Sequence, residues 1–334
     1  MTTLSRMFQR VRPALSVQLG VLVLVLLGNW ALFPGFFDLS IQDGRLFGSL
    51  IDVVNRGAPV AILAVGMTLV IATRGVDLSV GAVMAVAGAI AATLVEAGYP
   101  AAVAVPVALA AGVACGAWNG FLIAVLDMQP IVATLVLMVA GRGVAQLITE
   151  GSIVTFDDPW LSFLGNGTVL GLPMAAILLA VLAVAAILMV RRTALGLFIE
   201  AVGINPSAAR FAGLRSTLVV MIVYSFAGFC AGIAGLLAAA DIQGADANNA
   251  GLWLELDAIL AVVIGGTSLL GGRFSIVRSI IGAMIIQATN TGILVSGLPP
   301  EFNLIVKAAV ILVILVLQSP QAAGLLRRKR GVRP

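Results

Sequence analysis

Asp157 and Asp158 are the chain's one adjacent pair of acids, and two neighbouring carboxylates are the least that metal binding or paired acid–base chemistry requires. They stand in a polar stretch between apolar runs, where solvated surface is the simpler reading. Histidine, the commonest metal ligand and general base, is absent. Cys115 and Cys230 lie far apart in apolar surroundings and define neither a disulfide nor a metal framework. The two lysines, Lys307 and Lys329, follow no glycine-rich loop, so the chain carries no P-loop for ATP. No catalytic residue, metal site or resident cofactor is expected. The remaining polar chemistry is uncharged: Asn55, Asn119, Gln287, Asn290 and Thr291 sit in apolar runs. Such groups either meet the hydroxyls of a passing polar solute or hydrogen-bond helix to helix.

The elements holding these residues follow from composition. Hydrophobic residues are 61% of 334 positions and charged residues 10%, against about 25% charged in soluble domains. A water-facing surface cannot be built from so few charges, so most of it must face lipid. With about 20 apolar residues per crossing, the length allows about ten. Apolar runs fall at about 15–33, 51–73, 78–95, 101–125, 131–149, 169–190, 217–240, 257–270, 275–294 and 302–318. The first follows basic residues like a signal peptide, but it is long and lacks a small-residue cleavage site, so it reads as a retained helix. The run at 257–270 is short and ends in glycines, as a broken or partial crossing would. The expected fold is an all-α polytopic membrane protein: a tail at 1–14, one transmembrane domain at 15–318 and a basic tail at 319–334.

Charge sets the orientation. With the N-terminus cytoplasmic and ten crossings, 15 of the 19 basic residues fall inside; Arg45, Arg56, Arg142 and Lys307 do not fit. Such enrichment marks the cytoplasmic side, and both termini are expected there. Of the 15 acids only Asp77, Asp127 and Glu200 fall inside. The net charge of +4 therefore reflects topology, not nucleic-acid binding.

Five segments break the apolar pattern. In Thr73–Gly81, Asp77 or Ser79 can cap the helix that follows; the segment is either a structural break or part of a conduit. Gln129–Leu135 reads as a helix start with Pro130 in its first turn. Arg142, between Gly141 and Gly143, either snorkels to the outer interface or pairs with an acid such as Glu150. On the cytoplasmic side, the loop at 191–217 contains Glu200–Gly213, which reads as a short helix flanked by breakers. Its small residues allow close seating on a partner, with Arg210 and Phe211 supplying charge and an aromatic contact. Glu255 to Arg273 carries the Gly265-Gly266 and Gly271-Gly272 pairs, which permit close packing or a re-entrant break.

In order, Gly75–Gly81, Gln129–Leu135 with Gly141-Arg142-Gly143, Ala201–Gly213 and Glu255–Gly272 resemble the ribose-type permeases of bacterial sugar ABC importers. The resemblance covers about residues 40–318. Gln42–Gly48, Met138–Thr149 and Ala240–Glu255 are most similar to the galactofuranose-importing members. Arg74, where many relatives have Gly, and Phe274, where a Gly often follows the glycine pair, depart from the pattern.

The resemblance implies the permease fold of the ribose and vitamin B12 importers, the type II-like kind, in the bacterial inner membrane. It implies a second homologous permease in a heterodimer, ATP-binding subunits that hold ATP and Mg, and a periplasmic sugar-binding protein. Within Ala201–Gly213 and the preceding Glu200, the coupling residues would be Glu200, Ala201, Gly203, Asn205, Ala208, Ala209, Arg210 and Gly213. Asn55, Asn119, Gln287, Asn290 and Thr291 are the candidates for the sugar's path. Asp241, Asp246, Asn248, Asn249 and Glu255, in or beside an acidic, Asn-rich outer loop, are the candidates for contact with the binding protein. An ion-coupled carrier working alone and a membrane-embedded transferase stay open, although acids deep in the runs and convergent acid–base groups are both missing.

Overall fold

A computed structural model describes residues 3–42 and 45–297, and beyond them 302, 304, 305, 307–309, 312 and 316; for 3–16, 42 and 45 it describes the backbone alone. The chain is mostly helical. Helix α1 (Thr3–Leu32) leads through a 3-10 turn (Pro34–Phe37) into an antiparallel hairpin, β1 (Ser40–Gln42) with β2 (Arg45–Phe47). Then come α2 (Ser49–Ala72), α3 (Val80–Glu96), α4 (Ala101–Ala124) and α5 (Pro130–Ile148). Strand β3 (Val154–Thr155), α6 (Pro159–Asn166) and the hairpin of β4 (Thr168–Val169) with β5 (Leu172–Pro173) precede α7 (Met174–Arg192). The chain continues through α8 (Leu195–Ile204), α9 (Pro206–Phe211), α10 (Ser216–Asp241), β6 (Gly244–Ala245), α11 (Leu254–Ile264) and α12 (Ile276–Val295).

Six of the nine expected runs up to residue 297 match α2, α3, α4, α5, α10 and α12 within two residues at either end. The run at 169–190 starts late as a helix, because β4 and β5 take its first residues. The short run at 257–270 is an eleven-residue helix and a glycine-rich turn. The first run extends backward, with α1 helical from Thr3. Of the last run, the described residues are helical; the tail at 319–334 lies outside the described residues, as do Asp43 and Gly44 and the side chains of Arg6, Arg10 and Arg12. Among the described residues, six helices are long and apolar enough to cross a membrane: α2, α4, α5, α7, α10 and α12. Val17–Leu32, α3 and α8 are apolar but shorter.

Helix α2 is the axis of the bundle. Every residue from Val60 to Ala72 is buried, as expected for a helix apolar on all sides. Helix α10 packs on α2, α3 and α4, while α12 packs on α1, α2 and α11. Helices α4 and α10 meet through a seam of small residues. A Cβ on Gly112 would come within 2.6 Å of the Gly228 carbonyl, and one on Gly228 within 2.9 Å of the Gly116 Cα. Without a hydrophobic drive between helices in lipid, such backbone approach is the main source of association. The segment after α5 is joined to the Asn-rich loop after α10, Val154–Thr155 pairing antiparallel with Gly244–Ala245.

Candidate functional site

The break between α2 and α3 is a buried polar knot. Asp77, Ser79 and Asn119 are all buried. Asp77 Oδ1 accepts from the Ser79 N–H at 2.9 Å and the Ser79 hydroxyl at 2.6 Å, and Asn119 Nδ2 donates to Ser79 Oγ at 2.8 Å. The Val76 carbonyl accepts from Thr134 on α5 and Tyr224 on α10. Non-helical backbone survives in a bilayer only where protein satisfies it, and these bonds do so. The expected helix cap is corrected: the Ser79 side chain makes no capping bond, and Asp77 serves the loop instead. Asn119, expected on the sugar's path, belongs to this knot.

One end of the bundle gathers three segments that the charge pattern assigns to the same side. Arg74 stands in the left-handed region at φ 66, a conformation that glycine adopts without strain. Its Nε donates to the Gly203 carbonyl at 2.5 Å and its Nη2 to the Ile204 carbonyl. The Gly272 N–H donates to the Ala72 carbonyl at 2.9 Å. The ends of α2 and α8 and the glycine turn are thus pinned together.

The single short helix expected over Glu200–Gly213 is corrected to two. A residue before proline is pushed to extended backbone, and Asn205 is extended at φ −157, ψ 100. Its side chain accepts from the Ala208 N–H at 3.0 Å and starts α9, with Pro206 in the first turn. Gly213, at φ 83, closes α9 with the Leu214 N–H on the Ala209 carbonyl. Glu200, Ala201 and Gly203 belong to α8, while Ala208, Ala209 and Arg210 belong to α9. Glu200 lines a separate groove of about 310 Å3 with Arg191. Arg210 Nε is turned back onto Ser216 Oγ at 2.8 Å, whereas Phe211 is 93% exposed.

The opposite end holds a cavity of about 450 Å3 between α2, α3, α10, α11 and α12. Asn55, Gln287 and Asn290 line it, three of the five residues expected on the path. Thr291 does not, but its hydroxyl accepts from Gln287 Nε2 at 3.4 Å. Asp241, Asp246 and Asn249 line the cavity on the loop side. Asn248, exposed, accepts from Gln146 at 2.7 Å. Glu255, expected at the binding-protein contact, is buried, its carboxylate lying beside Gly81.

Arg142 is half-buried and forms no ion pair with Glu150. Its Nη1 donates to the carbonyls of Ala247 at 2.9 Å and Ala250 at 2.6 Å, fastening the loop over the cavity. Within that loop Asp246 accepts from the Asn249 side chain and from the Asn248 and Asn249 backbones, and the Asn249 side-chain bond leads in holding its carboxyl below the ordinary range. The sequence reading missed Asp257, which lines the cavity and forms an ion pair with Lys307 at 2.9 Å. The available signal was Lys307 itself, a charge in an apolar run on the wrong side for orientation. Asp158, one of the adjacent acids, caps α6 through the Leu161 N–H at 2.8 Å.

A bundle of membrane-length apolar helices with an internal cavity towards one end and segments pinned together at the other is compatible with a permease. Residues 49–315 match the family described as the branched-chain amino acid transport system permease component, and the chain belongs to that family. It is 58% identical to the galactofuranose transporter permease protein of Escherichia coli over 94% of this chain and 92% of that one. The fructose import permease protein of Bifidobacterium longum is 43% identical over 87% and 84%, and the ribose import permease protein of Escherichia coli 39% over 90% and 92%. The resemblance read from the four motifs therefore holds: the chain is a sugar-permease relative and a multi-pass protein of the inner membrane. No solved structure matches it.

Proposed function

We propose that this chain is the transmembrane subunit of an ATP-driven importer that carries galactofuranose into the cytoplasm. The observation that carries this reading is near-full-length similarity to a galactofuranose permease, joined to an amide-lined cavity at the loop end. The chain crosses the membrane about ten times with both termini cytoplasmic. It pairs with a second, homologous permease. ATP-binding subunits, which hold ATP and Mg, dock against α9, and a periplasmic binding protein delivers sugar over Asp241, Asn248 and Asn249.

Closure of the ATPase pair displaces α9 and with it α8, and the Arg74 contacts pass that motion to the end of α2, to which the Gly272 N–H ties the glycine turn. Helices around the cavity then exchange outward-facing and inward-facing arrangements. Most residues on the wall are apolar or glycine, so the sugar is released rather than trapped.

The test is uptake of labelled galactofuranose into proteoliposomes. Uptake is expected only with ATP, the ATPase, the companion permease and the binding protein all present. Uphill uptake by this chain alone, abolished by an ionophore, overturns the reading in favour of an ion-coupled carrier.

A further inference from the structure

The charged residues on the cavity lining are Arg56 and three carboxylates, Asp241, Asp246 and Asp257, with the amides of Asn55, Asn249, Gln287 and Asn290 beside them. Asn55 and Asn290 each bury an Oδ1 that has no hydrogen-bond partner. Pro59, also on the wall, has no N–H to give the Asn55 carbonyl one turn earlier, so that carbonyl loses its helical donor. Both Asp257 oxygens accept from Lys307 Nζ, at 3.1 and 2.9 Å, and a carboxylate has about four lone-pair sites for two such bonds. Buried acceptors without donors cost stability unless something supplies the donors.

The elements bring these acceptors together. Gln287 and Asn290 are three apart and share a face of α12. Helix α2 approaches that face closely, a Cβ on Gly57 lying within 3.2 Å of the Gln287 Cβ. Helix α11 supplies Asp257 from a third side. Lys307 balances the charge of Asp257, and Arg56 faces two further carboxylates on the lining, Asp241 and Asp246, so the wall keeps a net negative charge that an anion must oppose.

We propose that Asp257, paired with Lys307, forms with Asn55 and Asn290 an acceptor station that grips adjacent hydroxyls of a neutral sugar and refuses anionic ones. The station rests on the sugar-permease reading and adds to it the residue that anchors the cargo and the charge class it excludes. A cavity of about 450 Å3 falls within the usual range of small-molecule sites, about 300–1,000 Å3.

Ala238, on the cavity wall, is replaced by Cys in the full reconstituted complex, and its labelling by a small maleimide is followed by peptide mass. Millimolar D-galactose is expected to slow labelling, and D-galacturonate at the same concentration is not. In Asp257→Asn with Lys307→Gln, which leaves no orphaned charge, labelling without sugar stays unchanged. The galactose needed for half-protection rises about tenfold or more, as the loss of a charged hydrogen bond requires. Asn290→Ala, which leaves the ion pair intact, raises it as well and carries the same test if the double variant fails to reach the membrane.

Unchanged protection in the double variant reduces the ion pair to a staple between α11 and the C-terminal helical segment and overturns the proposal. Equal protection by galacturonate overturns the charge selection. Absence of protection in the parent, with ATP-driven uptake intact, removes the station while leaving the permease reading standing.

Discussion

At the scale of single residues, the charges that disobey the orientation rule are the informative ones. Arg142 and Lys307 were legible as exceptions, but their partners were not, because both partners lie more than forty residues away in sequence. Arg142→Met should free the loop over the cavity. Two charge-assisted bonds are lost from a half-buried guanidinium, so a cost of about 1–3 kcal/mol is expected, read as a fall in melting temperature and faster amide exchange at 246–251. Asn119→Leu removes a donor from the knot and should cost about 1–3 kcal/mol in detergent melting, with an oxygen of Asp77 or Ser79 left short. Asp246 supplies a pH test. Its folded carboxyl lies below its unfolded value of about 3.9, so its contribution is complete above that value and is lost as pH falls through the lower one. Exchange protection of the loop should be flat from neutral pH down to about 4 and weaken only below.

At the scale of elements, apolar runs located most helices because lipid demands long uninterrupted apolar stretches. The failures have local causes. Asn205-Pro206 was visible as a breaker, yet a proline in the first turn starts a helix as readily as it ends one, so one expected helix is two. The knot at 74–79 was visible as an interruption, but its satisfaction by α4, α5 and α10 is tertiary and leaves no local mark. The seam between α4 and α10 was hidden for the same reason, the chain being rich in glycine throughout. Gly116→Leu would drive a side chain into the backbone around Tyr224 and Ser225. It should sharply reduce the yield of folded protein, whereas Gly143→Leu, with open space around it, should not; fluorescence-detected size exclusion separates the two outcomes.

At the scale of the whole molecule, the two functional ends are distinct and joined through α2. Phe211 tests the end proposed to meet the ATPase. Exposed at the tip of α9, it contributes little to this chain's own packing. Phe211→Ser should leave melting unchanged yet lower the ATPase stimulation by loaded binding protein about tenfold, the loss of a well-packed interface aromatic. Full stimulation in that variant would remove α9 from the coupling contact. Of the eight residues expected there, α8 takes three, and Arg210 is committed to Ser216; sequence order could not separate a projecting aromatic from a folded-back arginine.

The glycine seam has a consequence for biosynthesis. Helix α4 emerges from the ribosome long before α10, the helix shaped to fill its groove. During that interval its notched face has only lipid or the insertion machinery against it. The nascent chain is therefore expected to need a holding step until residue 232 has entered the bilayer. Chains that stop before α10 should be recognised and degraded, while those that stop after it should persist.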